Sequence, residues 1–311
     1  MSEIKLEPKL EQALEQDGDF HTPLERVNFE AGMLLGVEAT QHEQAYHRRR
    51  LNRHRYWFHG AGTLLGLAVK MEHDAVANND SDVSLRLLIS PGIGIDGLGR
   101  EVMSYEPYCI NLRDWLEAQL TTDAGNQLIQ DGLEAEGDAI SLLITMRYHP
   151  CPTGLQPVMA RKVNAGTDPV QPSRTRDSLL LEIIPGLLPE HAGGWPWRGH
   201  RQSSTPLQEV LSDAEKDYLT ALPPEQRQQA QLQGKLVYGL PAHNRALEVE
   251  GDLDELSRTL LAHLRIPLRV AQLPVISPIV NPNRIEINNL VRPFINTADQ
   301  LMWLKQQEVT P

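Results

Sequence analysis

A single basic helix leading into a run of short strands punctuated by glycine and proline is the feature that most limits the folds open to this chain. Residues 40–58 fit a helix. Thr40 stands three residues before Glu43 in capping-box spacing, and Gly60 follows as a C-terminal stop. The period then changes. TLLGLAVKM (63–71) and VSLRLLIS (83–90) read as strands, Pro91-Gly92 opens a turn, and GIGIDGLGREVMSY reads as a hairpin through Asp96-Gly97. A further strand over 106–112 holds Cys109, and a helix followed by a loop fills 113–138. ISLLITMRYH (140–149) is the clearest buried strand, 150–177 reads as a long loop, and SLLLEII (178–184) returns to strand.

The C-terminal third has a different texture. Ser212 with Glu215 marks a helix over 213–221, and EQRQQAQLQGK a second, polar one. Asp252 with Glu255 predicts a third helix over 253–264, with Leu253, Leu256, Leu260, Leu261 and Leu264 as its apolar stripe. Short strands between prolines follow, which places them at sheet edges, and a last helix covers 297–307. With 22 glycines, 22 prolines and only 5% aromatics, the core must rest on Leu, Val and Ile. The expectation is an α+β fold: a mostly antiparallel β-sandwich or barrel over 23–190 with helix 40–58 packed on it. A 1–22 N-terminal arm precedes it, and a mixed helical and irregular region, 191–311, follows.

A net charge of −12 argues against a general nucleic-acid binder, because phosphate recognition depends on Lys and Arg. Two cysteines, Cys109 and Cys151, make no disulfide framework and read as free thiols. The polar N-terminus has no secretory h-region, and no stretch approaches the ~18 apolar residues of a membrane span. The chain therefore reads as soluble and cytoplasmic when made.

Catalytic patterns are missing from the sequence: no G-x-S-x-G elbow, Walker loop, H-E-x-x-H helix or C-x-x-C pair. The glycines of PGIGIDGLG precede a strand-like segment rather than a helix, so a hairpin fits better than a nucleotide loop. His42, His47, His54 and His59 lie on or beside one helix without a carboxylate or Cys at ligand spacing. Cys109, His149 and Cys151 could meet only if their strands were neighbours. No cofactor, metal site or enzymatic activity is expected. The residues that remain are candidates for interfaces. Arg48, Arg49, Arg50, Arg53 and Arg55, with Trp57 on the same helix, could pair with carboxylates inside the fold or across a subunit boundary, or form a solvated face. Trp195 and Trp197, in GGWPWRG, suit a sugar-binding pair, an anchor in a partner's pocket, or a loop packing its own tryptophans inward.

Five segments in order carry a resemblance: NFEAGMLL, HEQAYHRRRLNRHRYWFHGAGTLLGLAV, SPGIGIDGLGREV, LLITMRYHPCPTGLQPV and PSRTRDSLLLEI. Together they resemble a family encoded beside contractile, phage-tail-like (extracellular) injection systems. That family carries a YFDGQLL opening, a Y-H-x-R-R-R-R-H-N-R helix, an HG-x-G-x-V-x-GL-x-V strand, PG-x-A-I-D-x-x-G-R-E, and R-Y-x-E before R-x-R-E. The likeness spans 27–184, about half the chain. It departs at Phe29, at Leu64-Leu65 and at His149-Pro150, and does not extend beyond 190. AGMLL followed by Gln41-His42 is also similar to the opening of the type VI secretion baseplate adaptor, whose shoulder domain belongs with trimeric, β-rich receptor-binding parts. The resemblance implies a structural, non-enzymatic baseplate-associated or adaptor component that works by protein–protein assembly. Its partners would be other particle proteins and further copies of itself, a trimer being one such state. The particle would assemble in the cytoplasm and then be released or docked at a membrane. The alternative is a carbohydrate- or receptor-binding module at a tail tip or fibre.

Overall fold

The computed structural model describes residues 17–20, 22–73, 85–134, 139–157, 170–186, 206–238, 253–269, 277–278 and 285–308. The expected α+β architecture is present: antiparallel, sandwich-like sheets with helices, and, among the described residues, no closed barrel.

The centre is β7 (Ala139–Pro157), the predicted buried strand, which is longer than expected. It pairs antiparallel with β8 (Val170–Pro185) from Leu142↔Pro185 to Pro157↔Val170, and on its other side with β9 (Thr259–Arg269) from Ala139↔Pro267 to Met146↔Thr259. Short β10 (Ser277–Pro278) and β11 (Glu286–Asn288) both pair with β9.

Facing this sheet is a three-stranded meander bent at mid-length. Its inner half is β2 (Val69–His73), β3 (Leu85–Ile89) and β6 (Tyr108–Asn111); its outer half is β1 (Gly62–Gly66), β4 (Gly92–Ile95) and β5 (Glu101–Ser104). The single strand expected over 63–71 is thus two, because the chain turns at Leu67, a buried residue at φ +54°. The neighbouring strand turns at Ser90-Pro91, and the two corners are tied by Leu67 N–H to the Pro91 carbonyl and Ser90 N–H to that of Ala68. Buried Arg292 donates to the carbonyls of Gly66 and Leu67 at this corner, and burial lowers its pKa to about 10. Alternate residues of β7 (Ile140, Leu142, Ile144, Met146) join Leu85, Leu87 and Ile89 of β3 in the main core. Helices α2 (Leu112–Leu120) and α3 (Asp123–Asp131) add Leu112, Leu116 and Ile129 to it.

Two further expectations are corrected. The 150–177 stretch is not a long loop: β7 continues to Pro157 and β8 begins at Val170. Prolines are tolerated there because the partner β9 ends opposite Met146, so among the described residues the outer edge of β7 has no ladder to break. The helix expected over 253–264 stops early. A short α7 (Leu253–Ser257) gives way to β9, where Leu260, Leu261 and Leu264 are buried in the sheet. By contacts the chain divides into two compact units: 252–311 groups with 23–195 and 1–18 in one, while 19–22 and 196–251 form a second.

The described residues 206–238 of that second unit are helical, with α4 (Leu207–Val210), α5 (Asp213–Ala221) and α6 (Pro224–Val237). The predicted Ser212/Glu215 capping box is formed in full, and Arg227 donates to the carbonyls of Leu219, Thr220 and Leu222 that α5 leaves open. In the first unit the last helix, α8 (Ala298–Glu308), starts behind a reciprocal Thr297–Gln300 pair.

Candidate interaction site

The basic helix, α1 (Val37–Phe58), begins three residues before the expected start. Thr40 is not its cap, since its Oγ1 bonds back to the Gly36 carbonyl. Glu43, the supposed box partner, instead accepts from Val27 N–H and pairs with His47 at 2.9 Å, which fastens the preceding segment to the helix. Asn52 is the one buried residue of α1. A helix this polar, held over so little buried surface, owes its place to specific contacts rather than to an apolar stripe.

Those contacts centre on the β4–β5 turn. Gly99, at φ +80°, sits so close to α1 that a Cβ would lie 2.2 Å from the Asn52 carbonyl oxygen. Gly97, on the other side of the turn, approaches α7 more closely still, with a Cβ position 1.8 Å from the Leu256 carbonyl oxygen. Only glycine allows both approaches. Asp96, fully buried, organises the turn: one carboxylate oxygen accepts from the N–H groups of Leu98 and Arg100, and the other from Arg100 Nε at 2.7 Å. The Arg100 guanidinium lies 5.2 Å from the centre of the Tyr148 ring, and its Nη2 is buried with no hydrogen-bond partner among the described residues.

Two of the helix arginines form ion pairs beside this turn. Arg55 pairs with Glu101 at 2.6 Å, and Arg48 with Asp17 at 3.1 Å. Burial raises the Asp17 carboxyl above its ordinary range, against the pull of Arg48 and Arg100. Tyr148 donates to Asp177 at 2.7 Å, and burial together with that carboxylate pushes its phenol well above the usual tyrosine range. Between α1, β5 and the root of the β7–β8 hairpin these groups leave an open cleft of about 310 Å³, walled by Arg48, Arg55, Arg100, Tyr105 and Tyr148 among others.

The sequence candidates therefore divide. Arg48 and Arg55 are intramolecular clasps. Arg50 is exposed and donates to the Tyr46 hydroxyl at 3.0 Å. Arg49 and Arg53 are half-buried and engaged, and Trp57 is half-buried with its ring edge-on to Tyr56. Trp195 and Trp197 lie outside the described residues. Asp96, Arg100, Tyr148 and Asp177 were not among the candidates. The available signal was the motif order itself, since Asp96, Gly99, Arg100 and Glu101 fall on D-x-x-G-R-E, and Arg147-Tyr148 on R-Y.

Arg147 has its own setting on the opposite face of the sheet. It pairs with Glu182 and Asp254, and Arg258 pairs with the same two carboxylates at 3.0 and 2.7 Å. Burial works against ionising Asp254, but the two guanidiniums outweigh it and hold the carboxyl below its usual range. Cys109 and Cys151 are free thiols, and no group of three His, Cys, Asp or Glu among the described residues is placed to hold a metal ion. No helix among the described residues is long and apolar enough to cross a membrane.

What α1 and its lead-in leave uncovered is apolar. Leu34 is 99% exposed and Val37 73%, with Phe29, Met33 and Leu35 each more than half exposed. The positive φ of Gly32 (+90°) turns the chain here, and the Met33 N–H bonds to the Glu30 carbonyl. We call this segment, 25–38, the ledge.

No family model matches the chain, and no curated protein is significantly similar to it.

Proposed function

We propose that this chain is a structural component of a contractile, phage-tail-like injection particle, at or near the baseplate, and that it works through protein–protein assembly rather than turnover. The observation that carries the reading is the ledge: five large apolar side chains within nine residues, each more than half exposed, with exposed Glu25, Arg26, Glu30 and Glu38 in the same segment. A contiguous exposed apolar patch with a polar rim is the signature of an interaction surface. The likeness of segments 27–184 to proteins encoded with such particles supports the choice of setting. The Asp96–Arg100–Tyr148 cluster and the Arg–carboxylate clasps then serve to hold α1 and the ledge rigidly for a partner.

The test is to sediment intact tail-like particles from the native host and quantify this protein by mass spectrometry against the sheath subunit. A small, fixed ratio is the expected result. Absence from the particles would remove the reading.

A further inference from the structure

The β7–β8 hairpin runs well past the body of the first unit. Pairing continues to Pro157↔Val170, yet 154–157 and 172–177 are exposed, so among the described residues the two strands project alone for about 20 Å. An isolated two-stranded ribbon is marginal in water and gains from being covered. The register divides this arm into two unlike faces. One shows Pro150, Pro152, Gln156, Ser173, Thr175 and Asp177. The other sets Leu155, which is 73% exposed, and Pro172 beside Arg174 and Arg176. In a chain of net charge −12 the second face is apolar and basic, whereas the ledge is apolar and on balance acidic, with Glu25, Glu30 and Glu38 against Arg26.

We propose that the apolar, basic face of this arm docks on the ledge of a second copy of the chain, with Arg174 and Arg176 meeting Glu30 and Glu38. The proposal rests on the assembly reading and names one partner for it. Because arm and ledge are different surfaces of one protomer, the contact is head-to-tail. It closes into a ring or reciprocal dimer where the rotation allows, and otherwise extends into a filament. Charge steers the arm onto the ledge, and burial of Phe29, Met33, Leu34 and Leu155 holds it there.

The test is light scattering coupled to size exclusion on the full-length protein, 34.9 kDa as a monomer. Wild type is expected at a multiple of that mass, and both Arg174→Glu/Arg176→Glu and Glu30→Arg/Glu38→Arg at the monomer mass. The chain carrying all four substitutions restores the pairing with reversed signs and is expected to return to the wild-type mass, which a merely misfolded variant would not do. A monomeric wild type, an arm variant that keeps the wild-type mass, or a four-fold variant that stays monomeric would each overturn the proposal. Particle sedimentation separates this from the wider reading: an arm variant that self-associates and still co-sediments with particles defeats only the head-to-tail contact.

Discussion

Glu182 is the carboxylate shared by two largely buried guanidiniums, those of Arg147 and Arg258. Removing its charge leaves both cations short of a partner in a poorly solvated place, so Glu182→Gln should cost about 3 kcal/mol in urea unfolding. Asp254 is more open, with 38% of its side chain exposed, and its neutralisation should cost only about 0.5 kcal/mol because solvent screens the pair. Its effect shows better against pH. A carboxyl held below its unfolded value contributes stability above roughly pH 4, and the contribution drains away as pH falls through the lower folded value. Thermal melts of wild type and Asp254→Asn should therefore differ at pH 7 and converge in acid. Asp17 has the opposite sign. Its pKa is raised in the folded state, so its ionisation weakens the fold as pH rises through that value. Asp17→Asn should leave the melting temperature at pH 7 unchanged or higher, since Arg48, 39% exposed, keeps its water. A clear drop would show that the Arg48 pair outweighs the burial of Asp17.

At the scale of elements, one turn docks one helix. Gly99→Ala places a Cβ in the left-handed region and against the Asn52 carbonyl, at a cost of about 2 kcal/mol or more, with the damage concentrated in α1. Hydrogen exchange should report this as lost protection over Val37–Phe58 while β7 stays protected; equal loss in both would mean that α1 is not separately held. The same scale explains what the residues told in advance. The polar helix, the Asp96-Gly97 turn and the Ser212 cap are local matters of spacing, and each was legible. The stretch 253–264 was not, because Leu256, Leu260, Leu261 and Leu264 fit a helical stripe, while β7 offers an unpaired edge that takes residues from Thr259 onward as a strand. Prolines misled in the same way over 150–157, where they flank an open edge rather than a loop.

For the whole molecule, the question is what the ledge touches. Leu34 is 99% exposed, so Leu34→Asp should alter stability by less than about 0.5 kcal/mol. On the proposed assembly reading, however, a charge at the centre of the apolar contact is costly, and the variant should be lost from sedimented particles at least tenfold relative to sheath. Normal incorporation would mean that the ledge is bystander surface. The candidate arginines carry a related lesson. Composition marked the cluster, but only the fold separates Arg48 and Arg55, spent on Asp17 and Glu101, from Arg50, which faces outward.

By itself the sequence determined the class of fold, since hydrophobic period, turn residues and caps act over a few neighbouring positions and need no partner to be read. It also set the chemistry available, with arginines and carboxylates in plenty and no recognisable catalytic pattern. Tertiary structure alone decided which strands meet, that a predicted helix ends as β9, that the meander bends at Leu67 and Ser90-Pro91, and that Asp96, Arg100, Tyr148 and Asp177 converge beside α1. Those outcomes depend on contacts between residues 50 or more positions apart in many cases. Their energies come from burial and pairing across the core, and no local pattern along the chain encodes which distant partner will supply them.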